Sequence, residues 1–227
     1  GFESERYYKM SQQLANIVAS IKNDSDNASV GLNFVWNKIP GAVEYELEWT
    51  WVDDYANGDV IVKRNISDIS FTDRDFELNN TRILTADTKY EIPLIFSRGY
   101  VLFRVRAVGR LLSNVNQVCY GPWSTGINPK NIVSDWGNGV IAVPAHEGKK
   151  NWQLQTSFAE QGKKKEVVSY FDGSLRNRQT VTKINSDSNV IVGEVIYDAQ
   201  GRAAIEVLPS PINKNHIRFY KDINQNI

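Results

Sequence analysis

The sequence is poor in the residues that form disulfides and metal clusters. Cys119 is its only cysteine, and only two of its 227 residues are histidines. A single cysteine excludes an internal disulfide and any metal cluster built from several cysteines. It does not identify a compartment, because many secreted bacterial proteins lack disulfides.

The chain also lacks an excess of either charge and any long apolar run. Lysine plus arginine and aspartate plus glutamate both number 26, so the net charge is zero. No overall field draws the chain to nucleic acid or to an anionic membrane. Its apolar runs fall far short of the roughly 18 residues that span a bilayer. We therefore expect no nucleic-acid partner and no membrane insertion.

The start of the chain shows no signal peptide, since it begins Gly-Phe-Glu-Ser without a basic stretch and an apolar run. The chain is therefore interpreted as mature, cleaved or an excerpt. Hydrophobic residues make up 41% of it, which is enough to build one large or two ordinary domains.

Residues 1–27 are predicted to be a helical segment. Apolar residues recur at steps of three and four between residues 4 and 22, which is helical spacing. These residues are Tyr7, Met10, Leu14, Ile17, Val18 and Ile21. The polar run at 23–29 is the predicted break after the helix.

From residue 28 the apolar period changes to two, which is typical of strands. We expect paired antiparallel strands with one dry face, in a β-sandwich that covers residues 28–127. The long polar span from 52 to 93 gives no clear strand positions. The predicted inward residues are Val30, Leu32, Phe34 and Trp36, then Tyr45, Leu47, Trp49 and Trp51, then Val101, Phe103, Val105 and Ala107.

This segment resembles a fibronectin type III domain. The matching pieces are the strand ending in Trp36, the "PGAVEYELEW" that follows, "FRVRAV" at 103–108 and "GPWS" at 121–124. The resemblance implies a seven-stranded sandwich of about 100 residues. The chain departs from the family at Val101, where a tyrosine is usual, and has Tyr100 one position away. The corner hydrogen bond of that tyrosine is therefore not expected.

Residues 128–149 are interpreted as a connector that pairs locally, through the short apolar run "VIAV". From residue 150 onward, short β-rich runs return between turn signals. Two of these turns carry the same motif, 26 residues apart, which suggests a repeated hairpin. An aromatic residue, an aspartate and an arginine fall at the same offsets in both copies. They are Phe171, Asp172 and Arg176 in the first copy and Tyr197, Asp198 and Arg202 in the second, which also contains Gly201.

The residue types of the motif suit a chain reversal. Aspartate favours the first position of a type I turn, because its carboxylate accepts local backbone N–H groups, and Gly201 can take a positive φ without strain. Arg176 and Arg202 are each placed to pair with the aspartate or to lie over an aromatic ring. Leu175 stands where the second copy has glycine, so the first turn is expected to differ and to use Gly173.

"YDAQGR" at 197–202 is similar to the signature of the tyrosine-aspartate (YD) repeats of Rhs-type proteins, and residues 150–227 resemble the opening of such a region in large secreted Bacteroidetes proteins. In that family a ribbon of hairpins winds into a hollow β-shell around a C-terminal polypeptide, often a polymorphic toxin. The resemblance implies a chain that is secreted or lies on the extracellular face of the outer membrane.

We expect a mainly β, non-catalytic structural segment with no cofactor, no metal and no catalytic residue. His146 precedes an acid, but Lys150 occupies the position where a zinc-protease helix has its second histidine. The expected partners are the rest of the shell and the enclosed polypeptide, with outer-membrane secretion machinery or a surface protein as further candidates. The alternative is a surface adhesin, in which the sandwich binds a glycan or a protein through its tryptophans.

Overall fold

The computed structural model describes residues 10, 13–25, 27–110, 114, 116–158, 164–184, 189–221 and 223. The chain is mainly β, as predicted. It divides into two compact units. The first unit contains Gly1–Lys22, Leu32–Ile92 and Phe96–Pro144, and the second contains Asn23–Gly31, Pro93–Ile95 and Ala145–Ile227.

The first unit is built on two main sheets. One has the strand order β1-β2-β7, and the other has the order β10-β8-β3-β6, with β9 also paired to β8. A small two-stranded hairpin, β4-β5, lies between β3 and β6 in the sequence. The strands are β1 (Ile17–Asn23), β2 (Ser29–Trp36), β3 (Glu44–Asp53), β4 (Tyr55–Ala56), β5 (Asp59–Lys63), β6 (Thr81–Thr85), β7 (Lys89–Pro93), β8 (Gly99–Arg110), β9 (Val118–Tyr120) and β10 (Val140–Val143).

Aromatic rings join the inner faces of these two sheets. The ring centroids of Phe34 on β2 and Phe103 on β8 lie 5.0 Å apart. Trp36 meets Tyr45 edge to face at 5.7 Å. The predicted core residues Trp36, Leu47, Phe103 and Val105 are all buried, so this part of the sandwich prediction is confirmed.

The alternating run that ends in Trp36 was expected to pair with the next one, 45–51, and this expectation was wrong. β2 pairs with β1 and β7, whereas β3 pairs with β8 along its whole length. Alternation along a strand identifies its dry face but not the strand beside it, and here the two alternating strands face each other across the core.

The helix predicted over residues 4–22 was wrong from residue 13 onward, because 13–16 have no regular structure and Ile17–Asn23 is β1, whereas Met10 is helical. Residues 4–9, 11 and 12 of that prediction lie outside the described residues. The steps that fit a helix also contain Ile17 and Ile21 at a spacing of four, which suits a strand as well. β-Branched Ile17, Val18 and Ile21 favour the extended form once a neighbouring strand is available.

The prediction of a single dry face failed on β3. Glu46 and Glu48 point away from the sandwich core but are buried. Glu48 pairs with Arg104 at 2.7 Å and Glu46 pairs with Arg106 at 2.5 Å, while Arg82 bonds both acids from β6.

Aromatic rings cover these arginines and complete a ladder. Trp123 lies between the two guanidinium groups, 4.1 Å from Arg104 and 4.3 Å from Arg106. Phe76 caps Arg104 and Tyr120 caps Arg106 at the two ends. Cation–π contacts strengthen when they are desolvated, so the polar face of β3 becomes a second layer of the structure. We call this the arginine–aromatic ladder.

Residues 128–144 are part of the first unit. They were predicted to pair locally, and this was wrong. Val140 pairs with Leu102, and β10 continues along the start of β8. A short α-helix, α1 (Asp73–Asn79), and two 3-10 helices (Ile66–Asp68 and Val133–Gly139) fill the same side. Trp136 packs there on Phe76 with ring centroids 4.5 Å apart, forming a second apolar cluster that fixes the predicted connector against the sandwich.

The second unit is an antiparallel meander with the strand order β11-β12-β13-β14-β15. These strands coincide closely with the β-rich runs predicted from residue 150 onward. Their bounds are β11 (Asn151–Phe158), β12 (Lys164–Phe171), β13 (Asn177–Ile184), β14 (Val190–Tyr197) and β15 (Ala203–Ile212). The repeated motif lies in the turns of the first hairpin, β12-β13, and of the second hairpin, β14-β15.

Residues 213–221, which we call the strap, cover one face of this sheet. The Gln179 side chain donates to the carbonyl of Tyr220 and accepts from its N–H, at 2.8 and 2.7 Å. Ile217 is buried in a cluster with Val168, Val181 and Val192. Gln179 thus binds the strap backbone as a neighbouring strand would, and the apolar face of the sheet is closed.

Candidate functional site: the repeated hairpin turns

The first turn is organised by Asp172. The N–H of Asp172 donates to Arg176 O, and the N–H of Leu175 donates to Asp172 O, each at 3.0 Å. One carboxylate oxygen accepts the N–H groups of Ser174 and Arg176 at 2.8 and 3.0 Å. The other accepts Arg176 Nε at 2.8 Å. A single aspartate therefore closes the loop and fixes the arginine.

The second turn repeats this network with Asp198 in place of Asp172. Its carboxylate accepts the N–H groups of Gln200 and Arg202 at 2.9 and 2.8 Å, and Arg202 Nε at 2.8 Å. The backbone bonds from Asp198 N to Arg202 O and from Gly201 N to Asp198 O also recur, both at 2.9 Å. The two copies are one structural unit used twice.

The expectation that the first turn differs, through Gly173, was wrong. Leu175 takes the left-handed conformation itself, with φ of 58°, where Gly201 has φ of 81°. A three-residue hairpin loop that ends in a left-handed residue needs a positive φ at this position. The aspartate network thus imposes the same turn on leucine, which pays a steric penalty that glycine does not.

Replacing Leu175 by glycine should stabilise the second unit by about 0.5 to 1 kcal/mol, because the strain at a positive φ is relieved. The free energy of unfolding from urea titration measures the change. As the matched control, Gly201→Ala should destabilise the unit, since a Cβ there lies 2.3 Å from Arg176 Nη1 and the φ is unfavourable. A loss of stability in Leu175→Gly would show that the leucine is not strained.

Both aspartates are held in their charged form. The pKa of Asp172 and that of Asp198 lie below the ordinary value of 3.8, chiefly because backbone N–H groups donate to each carboxylate, with the paired arginine as a further cause. A lowered pKa means that the stabilisation is present at neutral pH and is lost as the pH falls below the ordinary value. The turns are therefore stable throughout the physiological range.

The two turns also contact each other. The guanidinium of Arg176, from the first turn, lies 4.7 Å from the ring centroid of Tyr197, from the second. The hydroxyl of Tyr197 donates to the carbonyl of Asn177, at the start of β13, at 3.0 Å. The sequence left open whether Arg176 pairs with its aspartate or lies over an aromatic ring, and it does both. The ring belongs to the other hairpin. We call this arrangement the interlock.

The interlock was not predicted from the sequence, although the 26-residue offset contained the signal for it. Turns one repeat apart lie side by side when β13 and β14 are neighbours, and these strands pair from Gln179↔Glu194 to Lys183↔Val190. Phe171 is the counterpart of Tyr197 but has no hydroxyl. Arg202 is the counterpart of Arg176, and no aromatic ring among the described residues lies over its guanidinium.

A buried polar cluster lies elsewhere in the second unit. His146 Nε2 and the hydroxyl of Tyr170 are 2.9 Å apart and buried. Trp152 Nε1 donates to the carbonyl of His146 at 2.8 Å, and Glu147 accepts the N–H of Phe219 on the strap at 2.7 Å. Burial lowers the pKa of His146, with Glu147 opposing it, and burial raises the pKa of Tyr170. These contacts hold the strap and the sheet together.

We predict that the second unit loses stability as the pH falls from 7.5 to 5.5. The pKa of His146 in the folded state lies below its ordinary value of 6.5, so the unfolded state binds more protons in this range. Urea unfolding followed by the NMR signal of the Trp152 indole N–H measures the slope. His146→Gln should flatten the slope. An unchanged slope in His146→Gln would contradict the assignment.

The six tryptophans, which carried the adhesion alternative, are all engaged with other groups. Trp36, Trp49 and Trp136 are buried. Trp51 stacks on Phe96 with ring planes 9° apart and donates to Ser97 O. The other two are Trp123, in the arginine–aromatic ladder, and Trp152, bonded to His146. Each of the six tryptophans therefore has a structural contact, and Trp51, Trp123 and Trp152 are partly exposed.

In the part of the chain that the structure describes, no group of three or more His, Cys, Asp or Glu side chains is placed to hold a metal ion. No helix of the described residues is long and apolar enough to cross a membrane.

Comparison with known proteins reaches only the second unit. Residues 145–226 match the model of a family described as a domain of unknown function (DUF6443). No curated protein and no solved structure matches the chain. The matched range begins at the same residue as the long segment of the second unit, Ala145–Ile227, ends one residue before it does, and includes both hairpins. Over the strands, turns and strap of that unit, the chain is similar to DUF6443.

Proposed function

We propose that this chain is a non-catalytic structural segment of a large secreted or cell-surface YD-repeat protein of the Rhs type. Its hairpins contribute to a β-shell that encloses a C-terminal, toxin-like polypeptide. The observation that carries the proposal is the interlock between two turns with the same hydrogen bonds. The motif serves chain reversal and contact between repeats, and both are requirements of a wall made of hairpins.

The geometry supports growth by repetition. Arg176 is fixed by its own aspartate and covers the tyrosine of the next turn, so the first copy positions the second. Structures whose units contact mainly their neighbours gain stability from each added interface. A longer series of such hairpins would extend the same sheet without any new kind of contact.

In this proposal the first unit is an accessory domain, similar to fibronectin type III, that precedes the shell. Its polar face is closed by the arginine–aromatic ladder, and its tryptophans are used for packing. The expected partners remain the rest of the shell and its enclosed polypeptide, with secretion machinery or a surface protein as further candidates. The adhesion alternative predicts arrays of sandwich domains in place of further YD repeats.

The full-length gene product tests the proposal. Electron cryomicroscopy should show a hollow β-shell, and limited proteolysis should leave its C-terminal polypeptide intact. The same polypeptide expressed separately is the control, and it should be cleaved at least tenfold faster. An extended row of sandwich domains, or equal cleavage of the two forms, would contradict encapsulation.

Residues 150–227 should be poorly protected or aggregated when expressed alone. The second unit also contains Asn23–Gly31 and Pro93–Ile95, and Ile95 belongs to its apolar cluster. Arg218 on the strap pairs with Asp24, which the fragment also lacks. Loss of these contacts leaves too little buried apolar area to offset backbone ordering.

Hydrogen exchange on the fragment and on the intact chain measures this difference. In the intact chain, the amides of β12, β13 and β14 should exchange much more slowly than in the fragment. Strong, cooperative protection of an isolated, monomeric fragment would show that the hairpins need no further support.

A further inference from the structure

We propose that the half of β15 next to its turn, together with Arg202, is a docking surface for another hairpin with a Tyr-Asp-x-x-Gly-Arg turn. The inference rests on the proposed function, and it names the residues that receive the next repeat. β15 is the last strand of the sheet, and no strand of the described residues pairs with its outer edge. The chain continues as the strap, which bonds to Gln179 over the face of the sheet.

The existing interlock defines what a docked hairpin requires. It uses three groups of the receiving turn: the arginine that covers the tyrosine ring, the carbonyl that accepts the hydroxyl, and the free edge of the strand. In the first hairpin these are Arg176, Asn177 O and the edge of β13. The corresponding groups 26 residues later are Arg202, Ala203 O and the edge of β15.

The arginines show the difference between an occupied and an open position. The side chain of Arg176 is 35% exposed, whereas that of Arg202 is 75% exposed, although both make the same bonds to their aspartates. Arg202 is therefore already held in the orientation that covers a ring. Because its conformation is fixed in advance, docking costs little side-chain entropy at this position.

The other half of β15 is built against strand pairing. Pro211 lies opposite Ile191 in the ladder. Since proline has no N–H, this pair must be of the type that does not exchange hydrogen bonds, so the nitrogen of Pro211 faces the outer edge. Pro209 lies beside an irregularity in the ladder between Val192 and Glu194. Proline and bulges both prevent edge strands from pairing.

The open part is thus confined to about residues 203–208, next to the turn. Ile205 and Leu208 on this part are exposed apolar residues, which a docked strand can cover. The tyrosine hydroxyl gives further selectivity, because it donates a hydrogen bond to a backbone carbonyl of the receiving turn. Phenylalanine at the same position cannot donate this bond. The occupant is therefore a hairpin of this type with tyrosine at the aromatic position, docked near the turn.

A peptide of residues 189–212, the second hairpin itself, serves as the probe, and the full chain of 227 residues is the receptor. Titration into labelled chain should give saturable NMR shifts at Arg202 Nε–H and at the amides of residues 203–208. Arg202→Gln in the chain, or Tyr197→Leu in the peptide, should weaken binding at least threefold. The control Arg110→Gln, in the first unit, should leave binding unchanged.

A tandem chain tests the same surface when the peptide is unfolded by itself. Residues 189–212 are joined after Ile227 by a flexible linker, which raises the effective concentration of the hairpin to the millimolar range. Its melting temperature should exceed that of the chain with linker alone, and Arg202→Gln should remove the gain. No gain in the tandem chain, or a gain that survives Arg202→Gln, overturns the inference.

Other occupants give different results. Self-association of the chain that is lost in Ile205→Lys would assign the edge to a second copy and would overturn the inference. A shell in the full-length protein whose next repeat pairs with β11 would also overturn it, yet would support the proposed function. Failure of encapsulation with intact docking on β15 would count against the proposed function alone.

Discussion

Replacing Trp36 by alanine should lower the free energy of unfolding of the first unit by about 3 to 5 kcal/mol, the range found for large-to-small changes in a well-packed core. The side chain is 3% exposed and meets Tyr45 edge to face. Truncation would leave a cavity between the two sheets that rigid β-strands cannot fill. Urea unfolding followed by circular dichroism measures the loss.

Trp36→Phe is the matched control for this prediction. Trp36 Nε1 is buried without a hydrogen-bond partner among the described residues. Phenylalanine retains much of the apolar volume and removes that unpaired donor, so its effect should be clearly smaller than that of alanine. Equal losses in the two variants would show that packing of the ring contributes little, and the sandwich core would have to be placed elsewhere.

Replacing Glu48 by glutamine should destabilise the first unit by about 3 to 5 kcal/mol. Glu48 is fully buried and bonds Arg104 at 2.7 Å, while Arg82 reaches its other oxygen. Removing the negative charge leaves the largely buried guanidinium of Arg104 without compensation, which is the costly way to break a buried pair. The cation–π contacts with Trp123 and Phe76 remain, but they do not neutralise a full charge.

Glu44→Gln provides the comparison on the same strand. Glu44 pairs with Arg110 at 3.0 Å, but the Arg110 side chain is 46% exposed, so this change should cost less than about 1 kcal/mol. Both variants can be measured by urea unfolding at the same salt concentration. If Glu48→Gln and Glu44→Gln had equal effects, the ladder would be a surface feature and not a second layer of the fold.

The strands of the second unit were predictable because local chemistry determines them. Turn residues separate the runs of period two, two of these turns carry the aspartate–arginine motif, and the observed strands follow the runs closely. The inward faces of β2, β3 and β8 were predictable for the same reason, since alternation alone selects the dry side of a strand.

The predictions failed where a residue has two compatible local states or a distant partner. Ile17 and Ile21 fit a helix and a strand, and strand pairing decided between them. Leu175 prefers a negative φ, yet the bonds of Asp172 close the turn around it. Glu46 and Glu48 alternate as a solvated face would, but arginines and aromatic rings from other strands bury them.

By itself, the sequence determined the β class, the positions of the two motif turns and the chemistry inside the second of them, because these depend on residues at most a few positions apart. Only the tertiary structure decided that Arg176 covers Tyr197, that Pro211 faces the outer edge of β15 and that Arg202 is exposed. Those facts depend on which strands are neighbours, and neighbours are selected by the packing of the whole sheet. The motif could therefore be recognised in the sequence, whereas the contact between its two copies is visible only in the tertiary structure.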